Sequence, residues 1–269
     1  METMEKPKST IEQKIKFLKS VSIFENMSND EIKEVASLLN MREYRKNEYI
    51  FFEEESEPGL FILMDGIVKL IKETQDGRTI IVRLVFPKDT FGWIEWGGSN
   101  IKSKIKTTQS VNDTFQIKGT GTATQENRKM PLALYTAQSM TESSVLYLSN
   151  QDFINLAIKY PAFAVKVTCD ATHNLLYAYD ILKSIASGRV EERIARVLLE
   201  LAKSVGEEKE GGKISIEIPI TRQDIAEMTG TTVETAIRIM SKWKKEGIIH
   251  TERGYIEILK KRELERLMI

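Results

Sequence analysis

The sequence predicts an α+β chain: an N-terminal antiparallel β-barrel, a long dimerisation helix and a C-terminal winged helix-turn-helix. Three observations predict it. Between Tyr44 and Val85, short β-branched and aromatic runs alternate with Glu57-Pro58-Gly59, Asp65-Gly66 and Asp76-Gly77, and such turns between short strands make hairpins. Residues 162–187 hold neither proline nor glycine and repeat at alternating three and four spacing, the pattern of a helical seam. Near the C-terminus, two capped helical periods flank Gly230, as in a helix-turn-helix.

In order along the chain, residues 9–40 read as helical. Ile11, Ile15 and Leu18 share one face, and Ser28 with Glu31 forms a capping box before Ile32, Val35, Ala36 and Leu39. Strands follow at 49–52, 60–64, 67–71 and 79–85, closed by the segment from Pro87 to Gly92. Residues 97–130 are rich in Ser, Thr, Asn, Gln, Gly and Lys, and read as a polar insertion. Strand character returns at 132–134 and 144–148. A helical stretch opens at Asn150 or Gln151, and Val165, Thr168, Thr172, Leu175, Tyr179, Leu182 and Ala186 make its seam. Three heptads of this kind predict a parallel homodimer. Gly188 breaks the helix and is the expected hinge. Beyond it come a helix over 190–205, a strand at Ile214, the two-helix motif, and a hairpin over 248–251 and 255–259. The expected domains are residues 1–150, with the N-terminal helices and the insertion, then 151–187, then 188–269.

Composition narrows the function. No apolar run approaches the roughly 18 residues that span a bilayer, and the charged first residues lack a signal-peptide core. The expectation is a cytoplasmic protein without a membrane partner. Basic and acidic residues balance at 39 each, so nucleic-acid binding must rest on a motif and a local patch. One cysteine, Cys169, excludes an internal disulfide and a cysteine-held iron–sulfur cluster. Two histidines and one cysteine are too few for a structural zinc site. No nucleophile–His–Asp order and no phosphate loop is present, and the Glu53-Glu54-Glu55 run reads as a solvated face, so an enzyme is not expected.

The motif with the most content runs from Ile220 to Ile249. Thr221 with Asp224 caps the first helix, and small Ala226 lets the helices approach. Gly230 permits a left-handed turn, and Thr231 with Glu234 caps the second helix. Ile225, Val233, Ile237, Met240 and Trp243 are expected to face the core. That leaves Thr232, Glu234, Thr235 and Arg238 outward, with Lys242, Lys244 and Lys245 at the far end. An exposed second helix with a basic end suits the DNA major groove.

This segment resembles the helix-turn-helix of the cAMP receptor protein and fumarate–nitrate reduction regulator family. Leu60–Leu70, Asp76-Gly77-Arg78 and Phe86–Gly92 resemble the family's cyclic-nucleotide-binding-like jelly roll. The resemblance implies a bacterial transcription regulator acting as a homodimer on a palindromic double-stranded DNA operator, in contact with RNA polymerase. It implies that Glu234 accepts from a cytosine amino group and Arg238 reads a guanine edge. It also puts Thr221, Arg222 and Thr232 on phosphates; Thr235 and Lys242, outward by their own spacing, are further candidates for phosphate or groove contact. Val233 before the glutamate resembles the fumarate–nitrate branch. That branch has serine where this chain has Ile237, so the expected half-site has a TGA-like core without matching either parent.

The same resemblance sets expectations for an effector where barrel and long helix meet. Family members that bind cyclic nucleotide use a Gly-Glu pair for the ribose and an Arg before Ser or Thr for the phosphate. Here Trp93 follows Gly92, and Tyr135 stands in the arginine position before Thr136. A buried cyclic phosphate without that arginine is costly, so cAMP is not the expected effector. Three alternatives stay open. One is haem held by His173 in a gas or redox sensor. Another is an apolar or aromatic molecule among Phe61, Trp93, Trp96, Tyr135 and Tyr177. The third is a regulator with no ligand.

Overall fold

The computed structural model describes residues 10–54, 58–94, 133–252 and 254–268. The expectations for 97–130 and for Trp96 lie outside these residues. Two short helices lead, α1 (Ile11–Leu18) and α2 (Asn29–Leu38), each opened by a reciprocal capping box, at Thr10 with Gln13 and at Ser28 with Glu31. Eight strands follow: β1 (Asn40–Tyr44), β2 (Tyr49–Phe51), β3 (Gly59–Asp65), β4 (Val68–Glu73), β5 (Thr79–Val85), β6 (Thr90–Trp93), β7 (Thr136–Ser139) and β8 (Ser143–Ser149). They form two antiparallel sheets, ordered β1-β8-β3-β6 and β2-β7-β4-β5. The expected barrel is therefore an open jelly roll. Two sheets face one another, and no ladder among the described residues closes them.

Phe51, Phe61, Leu63, Val68, Leu70, Val85, Phe91 and Tyr147 fill the space between the sheets. On β3 the alternate residues Leu60 and Ile62 are buried as well, against α1, α2 and the helices that follow β8. Both faces of β3 are covered, which is why its sequence is continuously apolar rather than alternating. The strand expected at 132–134 lies a few residues later, at β7. Ala133 is buried instead as a plug in the inter-sheet core.

The expected helix from residue 150 is two helices, α3 (Asn150–Lys159) and α4 (Pro161–Ser187). Pro161 forces the break. Proline disfavours helical geometry in the residue before it, and Tyr160 sits at φ −125°, ψ 84°. In α4, Phe163, Val167, Asp170, Asn174, Tyr177 and Ile181 turn inward, while Val165, Thr168, Thr172, Leu175, Tyr179 and Leu182 are exposed. The side chain of Ala186 lies outside the described residues.

The C-terminal part begins with α5 (Val190–Val205). A four-stranded antiparallel sheet, ordered β11-β12-β10-β9, contains β9 (Gly206–Lys209), β10 (Lys213–Ile216), β11 (Ile249–Glu252) and β12 (Tyr255–Ile258). Two helices, α6 (Arg222–Thr229) and α7 (Val233–Lys245), make the helix-turn-helix, and α8 (Lys261–Arg266) closes the chain. Ile194, Leu198, Ile225, Ala226, Ile239, Met240, Trp243, Ile256 and Leu264 form its core. Trp243 is 2% exposed at the centre. Trp243→Ala is expected to cost about 3–5 kcal/mol, the range for emptying a buried aromatic site, read as a lowered chemical-denaturation midpoint.

This core does not stop at the winged unit. Ile67, Ile71, Ile81, Leu84 and Met140, on the outer face of the second jelly-roll sheet, join the same apolar cluster. Lys69 of β4 reaches Asp224 of α6 at 3.8 Å, with both side chains largely buried. The winged unit thus rests on the sheet that walls the jelly roll.

Candidate nucleic-acid interface and effector cavity

The turn between α6 and α7 follows from local chemistry. Thr221 accepts from the Asp224 backbone N–H, and the Asp224 carboxylate accepts in return from the Thr221 N–H at 2.8 Å. Gly230 closes α6 in the left-handed region at φ 59°, where a side chain is strained. The cap of α7 differs from the expectation by one residue. Thr232, not Thr231, is the N-cap and accepts from the Thr235 N–H. Glu234 therefore sits inside the first turn with its carboxylate exposed. Its own backbone N–H, then the Thr232 hydroxyl, hold that carboxyl below the usual glutamate range, so it stands as an ionised acceptor.

One turn further along α7, Arg238 is exposed. Ile237 is exposed as well, at 46%, which corrects its expected place in the core; Ala236 and Ile239 take the inward positions. The outward face therefore runs Thr232, Glu234, Ile237, Arg238 and Ser241. Thr221 is exposed at the start of α6, and Thr235 is half-buried. Arg222 is half-buried, and one guanidinium nitrogen donates to the Thr251 hydroxyl at 2.9 Å. Among the three lysines at the end of α7, Lys242 pairs with Glu191 at 3.2 Å and Lys244 donates to the Thr251 carbonyl. Lys245 is exposed without such a partner among the described residues.

A second feature lies between the jelly roll and α4. A cavity of about 590 Å³ is walled by Leu60, Leu70, Val82, Phe91, Ile94, Leu134, Phe153 and Val167. Gly92 narrows one side. At φ +103° a side chain there would come within 2.3 Å of the Gly59 carbonyl. Trp93, Tyr135 and Tyr177 also line the cavity. Phe61 and Thr136 do not. Phe61 is 1% exposed between the sheets, stacked on Phe91, and the Thr136 hydroxyl accepts from the Glu53 N–H on the far side of β7. His173 is exposed and faces a separate cleft beside Asp89, Glu200 and Met228.

The polar groups of the cavity gather at one end. Arg83 donates to the Thr90 carbonyl at 3.1 Å and meets Asp89 at 3.5 Å. The Thr90 hydroxyl donates to Asp170 at 2.5 Å, tying the jelly roll to α4. Burial, with Asp170 adding to it, pushes the Asp89 carboxyl above the usual aspartate range despite the Phe86 N–H and Arg83. A carboxyl whose pKa rises on folding opposes the fold once pH passes its unfolded value. Asp89→Asn is therefore expected to raise the melting temperature at pH 7. The gain should shrink as pH falls towards the ordinary aspartate value, which melting curves across that range would read.

Two of the ligands considered would meet the following groups in the cavity. The Tyr135 hydroxyl is spent on the Gly92 backbone, accepting its N–H at 2.9 Å and donating to its carbonyl at 3.0 Å. It is not free to hold a cyclic phosphate. No histidine, cysteine or methionine lines the cavity among the described residues, and no group there assembles three potential metal ligands. His173 does not reach it.

Comparison with known proteins agrees with this architecture. The family model described as the Crp-like helix-turn-helix domain matches residues 192–267, and that of the cyclic nucleotide-binding domain matches residues 41–110. Their order along the chain is decisive. The chain belongs to the cAMP receptor protein and fumarate–nitrate reduction regulator family. It is similar to the nitrogen fixation regulation protein FixK of Bradyrhizobium diazoefficiens, 21% identical over 93% of this chain and 91% of that protein. The solved structure of FixK2 from Bradyrhizobium japonicum matches with a TM-score of 0.67 at 22% identity, covering 86% of this chain and 98% of that one. A CooA mutant from Carboxydothermus hydrogenoformans matches with a TM-score of 0.65 at 17% identity, covering 88% and 90%. At these identities the structures show the fold alone. As a family member the chain is a helix-turn-helix transcription regulator, a non-enzymatic class of protein. None of its described helices is long and apolar enough to cross a membrane.

Proposed function

We propose that this chain acts as a homodimer on a two-fold-symmetric DNA operator, with competence set by a small effector in the cavity between jelly roll and long helix. The observation that carries the DNA reading is the solvent-facing edge of α7. There an ionised Glu234 and an exposed Arg238 stand one turn apart, on a helix held by Trp243, Met240 and Ile239. Glu234 accepts from a cytosine amino group and Arg238 donates to a guanine edge. Thr221, Thr232, Thr235 and Lys242 contact phosphates or groove walls. Arg222 reaches the backbone with the nitrogens that Thr251 leaves free. Ile237 presents an apolar surface suited to a thymine methyl. RNA polymerase contact is part of this proposal through the family resemblance.

The unpartnered stripe Val165, Leu175, Tyr179 and Leu182 supports pairing of α4 with α4 of a second copy. The dimer then sets the two α7 helices about one DNA turn apart, roughly 34 Å. An effector wedged against Val167, Asp170 and Tyr177 would shift α4 on the jelly roll. The hinge at Gly188, whose carbonyl accepts from Arg193, would pass that shift to α5 and α6. A few kcal/mol of differential binding is sufficient.

Two binding assays test this. Fluorescence anisotropy on a duplex with a TGA-containing palindrome should show saturable binding, weakened at least tenfold when the half-sites are scrambled. Val167→Trp, which fills the cavity, should change that affinity. Equal affinity for scrambled DNA would refute the base reading, and an unchanged Val167→Trp protein would refute cavity control.

A further inference from the structure

The cavity carries information about its ligand, and the following rests on the reading of that cavity as the effector site. Among the described residues its lining contains two charged side chains, Arg83 and Asp170. They are not equivalent. Arg83 already has a carboxylate, Asp89, and a carbonyl, Thr90. Among the described residues Asp170 accepts from one hydroxyl, Thr90, and makes no ion pair. It is half-buried on the inward face of α4, and it lies close enough to Asp89 to push that carboxyl upward. Asp170 thus stands at the wall of a largely apolar cavity whose one guanidinium is already paired with Asp89.

The seam offered to a second copy faces away from Asp170, with Thr168 bordering both the seam and the cavity. Asp170 lies midway between Thr168 and Thr172. At 3.6 residues per turn that places it on the side of α4 opposite the exposed seam. A cation inside the cavity would reach this carboxylate, which lines it. An anionic ligand meets the wrong sign there, since the single cation is taken and Tyr135 is locked to Gly92. A purely apolar ligand would fill the chamber and leave Asp170 more desolvated than before.

We propose that the effector is an apolar or aromatic molecule bearing a protonated amine, its ring among Leu60, Phe91, Trp93 and Phe153 and its ammonium group on Asp170. Asp170 is then the residue that sets specificity. Because the Thr90–Asp170 bond joins the jelly roll to α4, an ammonium competing for that carboxylate acts on the contact through which α4 moves.

The test uses three probes of matched shape on the full-length protein, measured by isothermal titration calorimetry: 2-(1-naphthyl)ethylamine, 2-(1-naphthyl)ethanol and 3-(1-naphthyl)propionate. The amine should bind at least tenfold more tightly than the other two. Asp170→Asn keeps the acceptor for Thr90 but removes the charge, and it should abolish that preference while leaving the alcohol's affinity within threefold. If the alcohol or carboxylate equals the amine, or if the preference survives Asp170→Asn, the amine assignment is wrong and the cavity remains an effector site. If none of the three binds, the effector-site reading falls with it.

Discussion

Arg238→Ala is expected to lower affinity for the palindromic operator by roughly one to two orders of magnitude per half-site, since a bidentate arginine–guanine pair contributes about 1–3 kcal/mol. Its guanidinium is exposed on the outward face of α7, so its loss costs little stability. The melting temperature should stay within a degree or two, which separates recognition from folding. Arg238→Lys should recover only part of the loss, because an ammonium is a point donor without the planar fork. Glu234→Gln should relax discrimination at one base rather than remove binding. Lys245→Ala is the contrasting control. A phosphate contact weakens all duplexes alike and reduces the slope of log affinity against log salt by about one. Anisotropy titrations at three salt concentrations, on cognate and scrambled duplexes, distinguish these patterns. If Arg238→Ala weakened both duplexes equally, Arg238 would be a phosphate contact and not a reader.

The second large effect belongs to the α4 seam. Leu175, Tyr179 and Leu182 are each more than half exposed, an unusual expenditure of apolar surface on one helix face. Leu175→Glu with Leu182→Glu should give a folded monomer, with half the wild-type mass by light scattering and an unchanged far-ultraviolet spectrum. Two half-sites held by one rigid dimer gain strongly over a single half-site. Operator affinity should therefore fall by about a hundredfold or more. A dimer that persists in this variant would place the interface elsewhere.

Much of this was legible in the sequence, for identifiable reasons. Capping residues announced α2 and α6 because Ser28 with Glu31 and Thr221 with Asp224 leave a fixed three-residue signature. The 3.6 period gave the bounds of α5. What was not legible depended on contacts distant in sequence. Ile237 looked like core because it is apolar at a helical spacing, yet Ala236 and Ile239 are the buried pair. The cap at Thr232 could not be told from Thr231, because adjacent threonines both fit the rule. Strand β9 (Gly206–Lys209) has a charged, edge-strand composition that reads as loop until β10 pairs with it. Phe61 was a fair candidate for the cavity by residue type, but β3 alternates, and its register sends Phe61 between the sheets and Leu60 to the cavity wall.

The significance of Asp170 was invisible for the same reason. An aspartate inside a helix reads as a solvated residue, and only the fold sets it beside Thr90 and Asp89. Its partner residues lie about eighty positions away in the chain. Tyr135 was half legible. Its substitution for the phosphate-binding arginine was apparent, whereas its bidentate hold on Gly92 required the structure.

Selection of binding sites from a pool of random duplexes tests the central claim most directly. The wild-type chain should enrich a two-fold-symmetric motif whose half-site centres lie about ten base pairs apart, and Arg238→Ala should lose the guanine within each half-site while keeping the symmetry. Enrichment of an asymmetric motif, or of none above the starting pool, would contradict a dimer reading DNA through α7.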